Sequence, residues 1–182
     1  QITWDSLQDV NGHRQIIFEA IVKYRKMKNR GVVAIFQRDR FDHYSNFARI
    51  GEGSLGGKGR GLAFIDNMVK RHAEFEEFEN ATVAIPKTVV LCTDIFDEFM
   101  DSNNLYQIGL SDADDDVILK AFLRARLPER LMDDFLAFLD VVRSPIAIRS
   151  SSLLEDSHYQ PFAGICSTYM IPYMEDKNEM LR

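Results

Sequence analysis

Six of the eleven residues in GEGSLGGKGRG (51–61) are glycines, and Lys58 and Arg60 stand among the last of them. Glycine at this density lowers helix and strand propensity alike, so the segment must turn, approach another backbone closely, or bind something. Three phosphate-site patterns nearly fit it. Gly51, Gly53 and Gly56 satisfy G-x-G-x-x-G, but a dinucleotide site also needs a strand leading to an acid about twenty residues later. Glu74 and Glu76 fall near that distance inside AEFEEFEN, with no strand before them. A protein-kinase loop requires a following Val, a strand lysine and an HRD segment, and these are missing. A P-loop requires Gly six positions before Lys58 and Ser or Thr directly after it, where the chain has Glu52 and Gly59.

The pattern Leu62, Ile65, Val69 predicts a helix beginning around residues 58–61, which sets Lys58 and Arg60 at its N-terminus. Cations are mildly disfavoured at that end of the helix dipole, and glycines there cost helix propensity. Both costs make sense if free backbone N–H groups and the two cations converge on a phosphate. The alternative is a surface turn with solvated charges.

The remaining sequence bounds these choices. At 182 residues, 46% hydrophobic and 11% aromatic, the chain can bury a core and is expected to form one domain or two small lobes. A net charge of −6 argues against a nucleic-acid binder, while leaving room for a locally basic pocket. No apolar run approaches the roughly 18 residues of a membrane span, and QITWDSLQDV lacks the features of a secretory signal. Cys92 and Cys166 each lie in an apolar segment and are expected to be two reduced, buried thiols rather than a disulfide or a metal pair. A cytoplasmic location follows as an expectation. The first residue is not Met, and MEDKNEMLR reads as the opening turns of another helix, so the chain is expected to be a piece of a longer protein.

Along the chain, helical spacing (Ile17, Ala20, Tyr24, Met27) precedes Gly31, a position suited to a helix end. VVAIF (32–36) reads as a strand and QRDRFDHYSNF as a loop. IPKTVVLCTD holds a continuous apolar run, as in a strand covered on both sides, with Thr93 or Asp94 placed to cap the helix that follows. Ser111 is a candidate cap for the next helix, whose acids suit its first turn better than a metal site. Pro128 fits the start of a helix with the core-facing stripe Leu131, Phe135, Phe138, Val142. PIAIR (145–149) and FAGICSTYMI (162–171) read as further strands. Interleaved helices and apolar strands predict an α/β or α+β fold with flanking helices on a mixed sheet.

Arg149 closes PIAIR and is followed by three serines. Ligands of α/β sheets bind beyond the carboxyl ends of strands, and a guanidinium there suits bidentate phosphate binding. The competing reading pairs Arg149 with Glu155 or Asp156 and leaves the serines to cap turns.

Taken in order, SLGGKGRGLAFI, IPKTVVLCTDIFDEF and PIAIRSSSLLEDSHYQPFAGICSTYMI make the chain resemble a known family. It is the N-terminal nucleotide-binding domain shared by phosphoenolpyruvate synthases, pyruvate phosphate dikinases and glycan water dikinases. The resemblance runs from about Gly51 to Ile171 and divides the chain into an N-terminal helical connector with a short strand and loop (1–50) and an incomplete ATP-binding lobe (51–182). It implies one lobe of an ATP-grasp type site, in which Lys58 and Arg149 hold ATP phosphates. Arg60, Gly57, Gly59, Ser150, Ser151 and Gly164 belong to the same motifs. It implies ATP with Mg2+, whose carboxylate ligands are expected outside this chain, and no catalytic or metal residue within it. The implied partners are phosphohistidine and pyruvate or phosphoenolpyruvate domains of the same parent, with no nucleic acid and no membrane. His13, His43, His72 and His158 do not sit in the context of a phosphohistidine. Two rivals stand beside this reading: a non-catalytic regulatory or sensory module that keeps the lobe, and a stand-alone domain for another phosphorylated ligand.

Overall fold

Three short strands, paired in parallel and in chain order, organise the protein: β1 (Ala34–Ile35), β2 (Phe47–Ile50) and β3 (Thr88–Leu91). This computed structural model describes residues 12, 14–21, 33–41, 45–78, 80–155 and 164–181. In register, Ala34 faces Ala48 and Ala48 faces Val89, so β2 is the central strand. Sequence pattern assigned no strand there, because a four-residue strand that includes Arg49 carries little apolar periodicity. Phe47, Ala48 and Ile50 are nonetheless buried.

Two helices cover this sheet. After β3 comes α2 (Thr93–Ser102), and after α3 (Leu105–Gly109) and α4 (Asp115–Arg124) comes α5 (Arg130–Val141). Ile95 of α2 and Leu131 of α5 join Phe36, Phe41, Ala48 and Ile50 in one core, with Phe135 and Phe138 packed against it. The expected α5 stripe is therefore the core-facing one, and buried Val142 completes it. On the surface, Arg38 ties the turn after β1 to Asp133 (3.0 Å) and Asp134 (2.5 Å) of α5.

Between β2 and β3 runs α1 (Gly56–Arg71). Further along, β4 (Ile146–Ile148) pairs antiparallel with β5 (Tyr169–Ile171), Ile146 opposite Ile171. The architecture is α/β, with parallel and antiparallel strand pairs in two sheets. A single turn of helix, α6 (Lys177–Met180), follows; Asp176 accepts the Asn178 N–H at 2.9 Å as its cap.

Several local expectations change. The α1 helix begins at Gly56, ahead of the 58–61 start, and Ile65 of its expected apolar face is exposed. Lying at the sheet edge, β3 is half-buried rather than covered on both sides. Helix α2 is preceded by Cys92, and neither Thr93 nor Asp94 caps it because both side chains accept from another loop. Ser111 closes a turn onto Ile108 O (2.7 Å), leaving Asp114 at the start of α4. Pro128 lies just ahead of α5, its carbonyl accepting the Leu131 N–H at 3.0 Å. Both cysteines are free; Cys92 is buried but Cys166 is exposed. From FAGICSTYMI only Tyr169–Ile171 is strand, Gly164 lying in a turn and Phe162 and Ala163 outside the described residues. Residues 14–21 are helical with Ile16, Ile17, Phe18 and Ile21 exposed; Tyr24, Met27 and Gly31 lie outside the described residues.

Candidate functional site

Strands β2 and β3 are parallel, so their carboxyl ends lie side by side, and the glycine segment leaves from the first of them. It is held down at once. The Asp94 carboxylate accepts the backbone N–H groups of Glu52 and Gly53, each at 2.9 Å. Ser54 donates its N–H to Thr93 Oγ1 (3.0 Å), and its carbonyl accepts the Thr93 N–H (3.1 Å). Arg49 completes the clamp by donating to the Gly51 carbonyl and pairing with Glu52 at 3.0 Å. The Glu52 N–H, followed by that of Gly53, holds the Asp94 carboxyl below its ordinary range despite partial desolvation. Burial pushes the neighbouring Cys92 thiol up, which keeps it in the inert protonated form.

The second half of the segment is locked to the serine loop that follows β4. Gly57 donates its N–H to the Ser151 carbonyl (2.9 Å), and Gly59 donates to Ser151 Oγ (2.8 Å). Ser151 Oγ in turn donates to the Leu55 carbonyl at 2.6 Å. Ser151 thus caps α1 from a distant loop, satisfying amide donors that every helix start leaves over. The fit needs glycine at position 56. Its φ is +72°, and a Cβ there would lie 1.6 Å from the Ser151 carbonyl oxygen. This tertiary cap explains how a helix can begin among residues of poor helix propensity.

One sequence expectation is altered by these bonds. The amides of Glu52, Gly53, Ser54, Gly57 and Gly59 already have protein acceptors, and the Gly56 N–H donates to Ser54 Oγ at 3.2 Å. The loop is therefore a scaffold in this conformation rather than a cradle of free amides. What it positions is Lys58. In the first turn of α1, the Lys58 ammonium forms an ion pair with Glu155. Lys58 Nζ and Glu155 Oε2 are shielded from solvent and, among the described residues, have no hydrogen-bond partner beyond this contact. An ammonium carries three donors, so one carboxylate oxygen leaves Lys58 short of acceptors. A phosphate group would supply them.

The other residues expected at the site are placed unequally. Arg149 is the first residue beyond β4 and is exposed; its charge reaches Glu155. Lys58, first by its direct contact and then by its charge, holds the Glu155 carboxyl below its ordinary range against desolvation, with Arg149 and the Cys166 thiol assisting. Arg60 donates to Ser54 Oγ at 3.2 Å and is otherwise open to solvent. Ser150 Oγ accepts the Ser152 N–H at 3.2 Å, which is a turn-closing bond. Gly164 sits in an exposed turn at φ +85° with open space around it, two residues before Cys166. His72 pairs with Glu74 at 3.4 Å, and His13, His43 and His158 lie outside the described residues.

Beside this grip a cleft of about 430 Å³ opens, lined by Ser54, Leu55, Thr93, Phe96, Ser150 and Ser152 among others. Among the described residues no three His, Cys, Asp or Glu side chains gather as a metal ion would need. None of the described helices is long and apolar enough to cross a membrane. Glu155, Asp94 and Arg49 were not among the expected site residues. The signals were the ED following RSSSLL, which reads as a pairing partner for Arg149, and the TD following VVLC, which reads as a helix cap; Arg49 carries no such signal.

The family model described as the pyruvate phosphate dikinase AMP/ATP-binding domain matches residues 52–182, well over half of the chain. No curated protein and no solved structure gives a significant match.

Proposed function

Since the chain belongs to the family of the pyruvate phosphate dikinase AMP/ATP-binding domain, we propose that Lys58 and Arg149 grip ATP phosphates in one lobe of an ATP-grasp type site. The observation that carries this reading is the Lys58 ammonium, shielded from solvent and short of acceptors among the described residues, on a helix start fixed by the Ser151 loop. Phosphoryl transfer depends on neutralising and aligning charged oxygens, and a cation carried on a fixed helix start serves both. Lys58 supplies a point charge from α1, and Arg149 supplies a planar two-pronged donor from the end of β4. Arg60 and the Ser150 and Gly164 backbone are secondary candidates from the same loops. The interlocked amides of Gly57 and Gly59 act through position, since Ser151 already occupies them.

In this reading the parent protein is a cytoplasmic dikinase-type phosphotransferase of the phosphoenolpyruvate synthase and pyruvate phosphate dikinase kind. ATP bound here would phosphorylate a histidine on another domain, which would pass the group to pyruvate or another acceptor. Mg2+ would accompany ATP, on carboxylates other than those described. Residues 1–50 would connect or dock this lobe.

Lys58→Ala and Arg149→Ala in a full-length parent test the assignment. Each is expected to weaken ATP binding on the order of tenfold to a hundredfold, the range of a lost charge-assisted hydrogen bond. Unchanged ATP use in both variants contradicts it. Lys58-dependent ATP binding without turnover favours the non-catalytic module instead.

A further inference from the structure

Glu155 faces the proposed phosphate grip with a charge of the wrong sign. Its Oε2 lies against Lys58 Nζ, both atoms are shielded from solvent, and among the described residues neither atom has another hydrogen-bond partner. The side chains of Lys58 and Glu155 are 23% and 13% exposed, so the contact is enclosed rather than a solvated surface pair. Lys58 is placed by α1, and Glu155 by the serine loop that Ser151 fastens to α1. A carboxylate tethered in this way competes at a high effective concentration with any free anion.

From this geometry we propose that Glu155 is an internal competitor for Lys58, which a ligand phosphate must displace and which thereby sets the affinity of the site. The inference rests on the reading of Lys58 as a phosphate ligand and deepens it. Lys58 is kept oriented and shielded in the absence of ligand, at the expense of affinity when ligand arrives. The loop that carries Glu155 also carries the exposed Arg149, so displacement of one carboxylate frees Lys58 and withdraws a negative charge from Arg149.

The test titrates the whole 182-residue chain with inorganic tripolyphosphate at low ionic strength by calorimetry, using Glu155→Gln, Lys58→Ala and the double variant. Removing the competing charge in Glu155→Gln is expected to tighten tripolyphosphate about fivefold, the scale of one partly shielded ion pair. The same change in the Lys58→Ala background is expected to give less than about twofold, since only general charge repulsion is then removed. Glu155→Asp keeps the charge but shortens the reach, and is expected to give an intermediate gain. Unchanged or weaker binding by Glu155→Gln overturns the inference, as does an equal gain without Lys58 or no saturable binding by either chain. A parallel Mg-ATP titration separates the two levels. Binding that depends on Lys58 but ignores Glu155→Gln removes this inference alone, whereas binding indifferent to Lys58→Ala removes the reading beneath it.

Discussion

The two sheets of this chain differ in what holds them. In the parallel sheet, β2 buries Phe47, Ala48 and Ile50, and α2 and α5 close over it with Ile95 and Leu131. In the antiparallel pair, Ile148, Tyr169 and Met170 are all more than half exposed. Two strands alone are marginally stable, so β4–β5 cannot by itself fix the loop that leaves it. That loop takes its position from α1 instead, through Ser151 and Glu155. Stability thus resides in the first region, while the candidate site is assembled across both. A substitution can therefore unmake the site and spare the core, but not the reverse.

Leu131→Ala attacks the first region and should have the largest effect. Leu131 is fully buried, and its truncation is expected to cost about 2–5 kcal/mol in chemical denaturation. Next is Gly56→Ala, which combines a positive φ with a backbone clash against Ser151 and should cost about 3 kcal/mol. Unlike Leu131→Ala, it should also separate the serine loop from α1, visible as altered amide resonances at Gly57 and Gly59. If Gly56→Ala left those resonances in place, the interlock would not be what joins the two regions.

Asp94 anchors the glycine loop to the end of the parallel sheet, and its effect should depend on pH. Its carboxyl is depressed in the folded state, so its contribution is complete above the ordinary carboxylate range near about pH 4 and is lost as pH falls through the lower folded value. Asp94→Asn should cost about 1 kcal/mol at pH 7 and flatten the loss of stability toward acid, followed by urea midpoints. The smallest effect has the opposite sign. Gly61 lies within α1 with nothing near its missing Cβ, and Gly61→Ala should stabilise by about 0.5–1 kcal/mol. A loss there would mean that the end of the glycine segment is also pressed against a partner.

The parts legible from sequence are those with a local cause. The α5 stripe was readable because Leu131, Phe135 and Phe138 repeat at helical spacing against one core, with Val142 buried just beyond the helix. The central strand β2 was not, since Ala48 is buried by what lies over it and the half-buried Arg49 turns to the loop it clamps. The early start of α1 was hidden for a related reason: propensity counts the glycines against a helix, and the cap that offsets them comes from Ser151, 92 residues away. Order and spacing of motifs pointed to Lys58 and Arg149 as candidates. They could not reveal that Ser151 occupies the amides, or that Glu155 rather than solvent meets Lys58, because both depend on how two loops meet.

The central claim is that the glycine segment and the serine loop form one anion grip whose working cation is Lys58. Lysine ammonium resonances of a 15N-labelled chain, followed while Mg-ATP is added, test it most directly. The account predicts that the Lys58 resonance shifts saturably as Glu155 gives way, while that of Lys70, paired with Asp66 within α1, stays in place. Saturable ATP binding that leaves the Lys58 resonance unmoved would contradict it.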